Sequence, residues 1–258
     1  MGLVLRSGQP IELVKQMRQS SSSMKTRKSG PVILERALAI IGPPAAGKTT
    51  LTMRLGQFPG CCVFRLREHV PETLLAATAT SAERLGWLDD LTVTRALRGY
   101  LEAIIHGSTT HTVLLDNFPG SGTQAHLLIA ALRRLAPASV IHVVELVVDQ
   151  AVLQRRVRER RVCHRCEQDP IHDPRLPAEP SPADAQRCAR CNSILHPRRG
   201  DAPRLLAARM ERYAEAVAGI RTAFEGVGIE VLQCDANHPP EEIASDLSLL
   251  LATRSTPL

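Results

Sequence analysis

The sequence predicts an α/β fold: a parallel sheet with helices on both faces, a three-layer sandwich, interrupted by one small insertion. Three observations lead there. Short apolar, β-branched runs alternate with helical periodicity along most of the chain. The first of these runs ends in a glycine-rich loop followed by a lysine and two threonines. Two CxxC pairs flank a proline-rich stretch in which the periodicity lapses.

The elements follow in order. Val32 to Ile41 is apolar and β-branched, the opening strand of a nucleotide-binding unit, and a helix is expected from Lys48 to about Gln57. Cys61 to Phe64 reads as a short second strand. Between Glu68 and His106 the periodicity is helical, with Leu74, Leu75, Leu85, Leu91, Val93 and Leu97 as candidate core positions. Thr112 to Asp116 is a compact strand ending in a carboxylate. A helix through Gln124 to Leu135 follows, then a strand from Val140 to Val148, then a helix from near Asp149 into an arginine cluster at 155–161. Residues 163 to about 200 form the insertion. The helix Pro203 to Phe224, the strand Ile229 to Gln233 and the helix Pro240 to Leu251 complete the chain.

Composition narrows the function classes. At 258 residues the chain suits one α/β domain with a small insertion, and its 3% aromatic content requires an aliphatic core. No apolar run reaches the roughly eighteen residues of a membrane span, and no secretory signal is legible, so a cytoplasmic protein without a membrane partner is expected. The net charge is +6, but residues 1–31 hold six basic residues and one acid, which accounts for five of those charges. That segment reads as a flexible basic arm on a nearly neutral body, so no nucleic-acid partner is expected. Seven cysteines without an export signal argue against a disulfide framework. Cys61, Cys62 and Cys234 lie in strand contexts, where cysteine serves as a small apolar residue.

Gly42-Pro-Pro-Ala-Ala-Gly47-Lys48-Thr49 satisfies the G-x-x-x-x-G-K-[ST] pattern of a P-loop, at the strand-to-helix junction that such a loop requires. Glycines let the backbone curl so that N–H groups, including those of Ala45, Ala46 and Thr50, can point at phosphate. Lys48 supplies a cation for the β- and γ-phosphates, Thr49 a hydroxyl for Mg²⁺, and the helix its positive end. Asp116, ending a buried parallel strand, is the candidate carboxylate for the same Mg²⁺, directly or through water.

Cys163, Cys166, Cys188 and Cys191 form two CxxC knuckles separated by 21 residues, a spacing that suits one structural zinc ion. A redox pair would leave the second CxxC idle, and a nucleic-acid-binding ribbon stays open because arginines flank the knuckles. Arg155, Arg156, Arg158, Arg160 and Arg161 precede the first, and Arg198, Arg199, Arg204 and Arg209 follow the second. Guanidinium groups on both sides of an insertion suit a device closing on polyphosphate. Arg155, Arg158 and Arg204 read as a solvated face.

Together these residues resemble the adenylate kinase family from Leu38 to Leu251. The resemblance rests on GPPAAGKTT, LLDNFPGSGTQ, RRVRERRVCHRC with CARC, and RRGDAPRLLAARMERY. It implies a P-loop nucleotide kinase core at 32–162 and 201–258 and a zinc-binding lid at 163–200, acting as a monomer on nucleotide substrates with ATP and Mg²⁺. By the same resemblance Arg156 covers the ATP adenine, Arg160, Arg198 and Arg209 grip phosphates, Arg67 meets the acceptor phosphate and Gln124 reads the acceptor base. Ile171-His172 resembles a Tyr-His pair of the lid.

Several positions depart from the family pattern. D-G-F-P-R reads Asp116-Asn117-Phe118-Pro119-Gly120, so an acceptor-side arginine is gone. S-T-G-D reads Cys61-Cys62-Val63-Phe64, the lid's aspartate pair survives as Gly200-Asp201, and Lys-Gly-Thr reads Lys48-Thr49-Thr50. Arg65 would share a face with Arg67 only on an extended stretch; on a helix it would point away. The leading expectation is transfer of the γ-phosphoryl of Mg·ATP to a nucleoside monophosphate. The alternatives are a kinase for another small acceptor, with Glu68 or Asp89 as base if that acceptor is a hydroxyl, or a lapsed nucleotide- or nucleic-acid-binding protein.

Overall fold

The computed structural model describes residues 33–79, 88–107, 109–167, 174 and 176–252. The arm at 1–31, Leu85 and the Ile171-His172 pair lie outside them.

Five strands form one parallel sheet: β1 (Arg36–Ile41), β2 (Cys61–Phe64), β3 (Thr112–Asp116), β4 (Val140–Val147) and β9 (Val231–Asp235), in the order β2-β3-β1-β4-β9. Alternation within β1 explains the layering. Ala37, Ala39 and Ile41 face one apolar cluster, whereas Leu38 and Ile40 face another. The first cluster is covered by α3 (Asp90–Gly107), α4 (Gly122–Leu135) and α6 (Pro203–Glu225), through Val93, Leu97, Leu128 and Phe224 among others. The second is covered by α1 (Lys48–Leu55) and α7 (Pro240–Ala252), through Leu51, Leu55, Ile243 and Leu247. The fold is thus a three-layer α/β sandwich. No helix among the described residues is long and apolar enough to cross a membrane.

Three expectations change. The helical stretch after Glu68 divides into a 3₁₀ turn (Leu66–His69), α2 (Glu72–Ala79) and α3. Leu74 and Leu91 are consequently surface residues, 45% and 59% exposed, while Leu75, Val93 and Leu97 are buried. Both exposed leucines lie near a helix start, away from the stripe that meets the sheet. The last strand runs two residues later than expected, because pairing with Val143–Val147 places Val231–Asp235 in register. Cys61 and Cys62, on the edge strand, are only partly buried, whereas Cys234 is buried.

After α5 (Gln150–Glu159) the chain forms two small antiparallel pairs: β5 (Arg161–Val162) with β8 (His196–Pro197), and β6 (Pro180–Ser181) with β7 (Asp184–Cys188). A 3₁₀ turn at Arg199–Asp201 then leads into α6.

The long helix α6 is tied to β4 by a buried carboxylate. Glu145 accepts from Arg221 Nε and Nη2, both at 2.7 Å, and from the Tyr213 hydroxyl at 2.8 Å. Burial, then the adjacent Glu145 carboxylate, pushes the Tyr213 phenol well above its usual range, so it stays a donor. Arg221→Ala leaves this carboxylate one neutral partner. The expected cost is about 2 kcal/mol, below that of a fully buried pair because Arg221 is 39% exposed. The urea midpoint checks this, and a shift within error would remove the tie from the account.

Candidate functional site

The phosphate loop sits where β1 meets α1. Gly42 has φ +149°, and a Cβ there would stand 3.0 Å from the Leu146 carbonyl oxygen of β4. Only glycine lets the loop pass this close. Gly47, at φ +99°, turns the chain into α1, and Ala45 adopts φ +66°. Lys48 folds back over this loop, its Nζ donating to the Gly42 carbonyl at 2.6 Å and the Pro43 carbonyl at 2.8 Å. The amine is held inside the curl, beside the N–H groups that the sequence assigns to phosphate.

Beside the loop, the Thr49 hydroxyl donates to Asp116 Oδ1 at 3.1 Å, so the two residues predicted for Mg²⁺ adjoin. Hard oxygen donors of this kind fit that ion. Asp116 Oδ2 accepts from Arg65 Nε at 3.1 Å.

The arginines arrive from α5 and its C-terminal end, from the turn before α6 and from α6 itself. Arg156 donates from Nη1 to the Ala46 carbonyl at 3.2 Å and from Nη2 to the Ala236 carbonyl at 2.7 Å, spanning the loop and the end of β9. Arg160 grips Asp201 through both carboxylate oxygens, Nε to Oδ2 at 2.7 Å. Arg209 donates to the Gly200 carbonyl at 2.9 Å and stands 3.8 Å from Asp201. The single aspartate that survives here therefore holds two of the predicted phosphate-gripping arginines. Arg155, Arg158 and Arg204 are exposed, on the solvated side.

The loop, Asp116, Arg65, Arg156, Arg160 and Arg209 line one cleft of about 1480 Å³, larger than the roughly 300–1,000 Å³ of a site for a single small ligand. Gly42, Ala45, Ala46, Gly47, Lys48, Thr49, Thr50, Asp116, Arg156, Arg160, Arg198 and Arg209 face it, as do Arg67 and Gln124. Gln124 is buried, its amide oxygen accepting from the Gly120 N–H at 2.8 Å. Among the described residues, Lys48 and nine arginines line the cleft against four carboxylates, Glu68, Glu72, Asp116 and Glu159. Arg161 and Arg199, members of the two arginine clusters read in the sequence, belong to that set, as does Arg65; Arg212 joins it without a sequence signal. Asp89 does not line the cleft: its carboxylate accepts from the Thr92 amide at 2.9 Å and hydroxyl at 2.8 Å, capping α3.

Away from the cleft, Cys163, Cys166, Cys188 and Cys191 converge, their sulfurs all within 4.8 Å of one another. Cys163–Cys191 and Cys166–Cys188 are 3.4 and 3.6 Å apart. Four thiolates around zinc, at metal–sulfur distances of about 2.3 Å, stand roughly 3.8 Å from one another, so the donor set fits that ion.

Burial and crowded cations together shift the loop lysine. Burial first, then the Arg209 charge, pushes the Lys48 amine down to about 7; Asp116 opposes them, and Arg160 and Arg198 add to the lowering. A polyanion beside the amine favours its charged form. Binding of inorganic triphosphate near pH 8 is therefore expected to take up a proton, giving calorimetric heats that vary with the buffer's ionisation enthalpy. Lys48→Met removes that variation; a buffer dependence equal to wild type would assign the proton elsewhere.

Comparison with known proteins places this arrangement among relatives. An adenylate kinase of Salinispora tropica is 28% identical over 215 residues, covering 80% of this chain and 93% of its own length. One of Sphingopyxis alaskensis is 27% identical over 220 residues, covering 84% and 97%. One of Treponema pallidum is 30% identical over 182 residues, covering 67% and 78%. No family model matches the chain.

Proposed function

The chain belongs to the adenylate kinase family, and from that premise we propose that it transfers the γ-phosphoryl group of Mg·ATP to a nucleoside monophosphate. The observation that carries this reading is the single cleft in which Lys48, Arg156, Arg160, Arg198 and Arg209 meet Arg67 and Gln124. A donor seated on residues 42–50 would lie with its adenine toward Arg156 and its γ-phosphate between Lys48 and the arginines around Asp201. An acceptor would approach from Arg67 and Gln124.

A phosphate oxygen is already nucleophilic, so this reaction requires no general base. Catalysis would come from alignment and from neutralising charge on the transferring group. Thr49 and Asp116 would hold Mg²⁺, which would supply further neutralisation of the phosphate oxygens. Asp201 keeps Arg160 and Arg209 oriented before substrate arrives, which lowers the reorganisation left for the transition state.

The accompanying domain proposal divides the chain into a nucleotide kinase core, residues 32–162 and 201–258, and a zinc-clipped lid, residues 163–200. The lid's described part has a minimal core of its own, Cys163, Cys188 and Leu195 with Ala178 and Cys191 beside them. A zinc ion on the four cysteines would hold together a segment that buries so little. Lid closure would bring Arg198 over the phosphates beside Arg160 and exclude water, which otherwise diverts the phosphoryl group to hydrolysis.

An ADP-release assay with Mg·ATP against AMP, CMP, UMP, GMP and dAMP tests the activity. One nucleotide should turn over; ATP binding with no turnover of any would contradict the reading. Lys48→Ala and Arg160→Ala should each lower kcat roughly a hundredfold, while the solvent-facing Arg155→Ala stays within about twofold. Comparable losses in all three would undo these roles. Purified protein is expected to carry about one zinc ion, and its removal by a chelator should lower the melting temperature. A metal-free protein of unchanged melting temperature would contradict the zinc clip.

A further inference from the structure

Arg65 and Arg67 lie two residues apart, and both line the cleft. A continuous helix would turn them apart; the chain instead leaves β2 extended at Arg65, with φ −124° and ψ 110°, and only then enters its 3₁₀ turn. The register of the sheet fixes the rest. Phe64 pairs with Leu115, so Arg65 falls beside Asp116 on the same face, one step beyond the last pair.

We propose that Arg65, with Arg67, binds the phosphate of the acceptor. This rests on the reading of the cleft as a phosphotransfer site. The Arg65 guanidinium is 16% exposed and tethered through Nε to Asp116, whose other oxygen takes the Thr49 hydroxyl. The tether leaves the Nη edge for a second anion. At present that edge meets Glu68 at 3.5 Å and the Met53 thioether. Glu68 is 39% exposed, and a solvated pair at that distance is weak enough for a phosphate dianion to displace.

The platform beneath is fixed in place. Phe64 is fully buried, stacks on His69 with ring centroids 5.3 Å apart, and meets Phe118 edge-on at 5.5 Å and Tyr100 at 5.0 Å. Arg65 and Arg67 therefore project from a stretch that cannot easily turn, and two guanidinium groups match the charge of a monoester dianion.

Calorimetric titration of the full chain with AMP, CMP, UMP and GMP tests the assignment, with Mg·ATP titrated separately. Arg65→Ala should weaken the tightest-binding monophosphate roughly tenfold or more and leave Mg·ATP affinity within about twofold. Arg65→Lys, which keeps the charge without the fork, should fall between wild type and alanine; should the alanine variant fail to fold, the lysine variant carries the comparison. Unchanged monophosphate affinity overturns the assignment. So does an equal loss for Mg·ATP, which would put Arg65 on the donor side through Asp116, and so does a wild type that binds none of the four. A monophosphate that binds through Arg65 but is never phosphorylated contradicts the transfer reading and leaves the Arg65 assignment standing.

Discussion

Like-charge repulsion is the constraint around which this site is built. One cleft is lined by Lys48 and nine arginines, and a set of cations so dense stays ordered only if fixed groups hold each one apart. The protein supplies those groups from its scaffold. Asp201 takes Arg160 in a fork and stands near Arg209, backbone carbonyls at Ala46 and Ala236 take Arg156, the loop's own carbonyls take Lys48, and Asp116 takes Arg65. Burial first, and then the neighbouring arginine charges, depresses the Lys48 amine. A polyphosphate would bring the missing negative charge.

The scaffold can bear this load because of where the cleft lies. The C-terminal ends of β1, β3 and β4 deliver the phosphate loop, Asp116 and Leu146 to one edge of a sheet buried on both faces. The arginines come on α5 and α6. The latter is fastened to β4 by the Glu145–Arg221–Tyr213 cluster, and Arg209 lies one turn before Tyr213, so that buried tie helps set the position of a cleft cation.

How much of this was legible in the sequence depends on range. The phosphate loop and the two CxxC knuckles are local patterns whose backbone requirements are written into adjacent residues, and both were visible. The layering followed from strand and helix periods. Leu74 and Leu91 misled because an apolar residue near a helix start fits the same period as a core residue, and only the break into α2 and α3 shows which face each takes. The two-residue shift of β9 depends on pairing with β4, which no local run encodes. Arg65–Asp116 and Glu145–Arg221 join residues 51 and 76 positions apart, and their partners emerge only once register and helix docking are known. Asp201 was noticed as a survivor of a pair, but its hold on two arginines needed the geometry.

The central claim is that one cleft holds donor and acceptor phosphates at the same time. Calorimetric titration with adenosine joined through five phosphates to the nucleoside whose monophosphate is turned over tests it most directly, with ATP titrated alongside. Linked moieties that occupy both halves of one site should bind one per chain and at least about a hundredfold more tightly than ATP. An affinity no better than that of ATP, or two molecules bound per chain, would contradict the account.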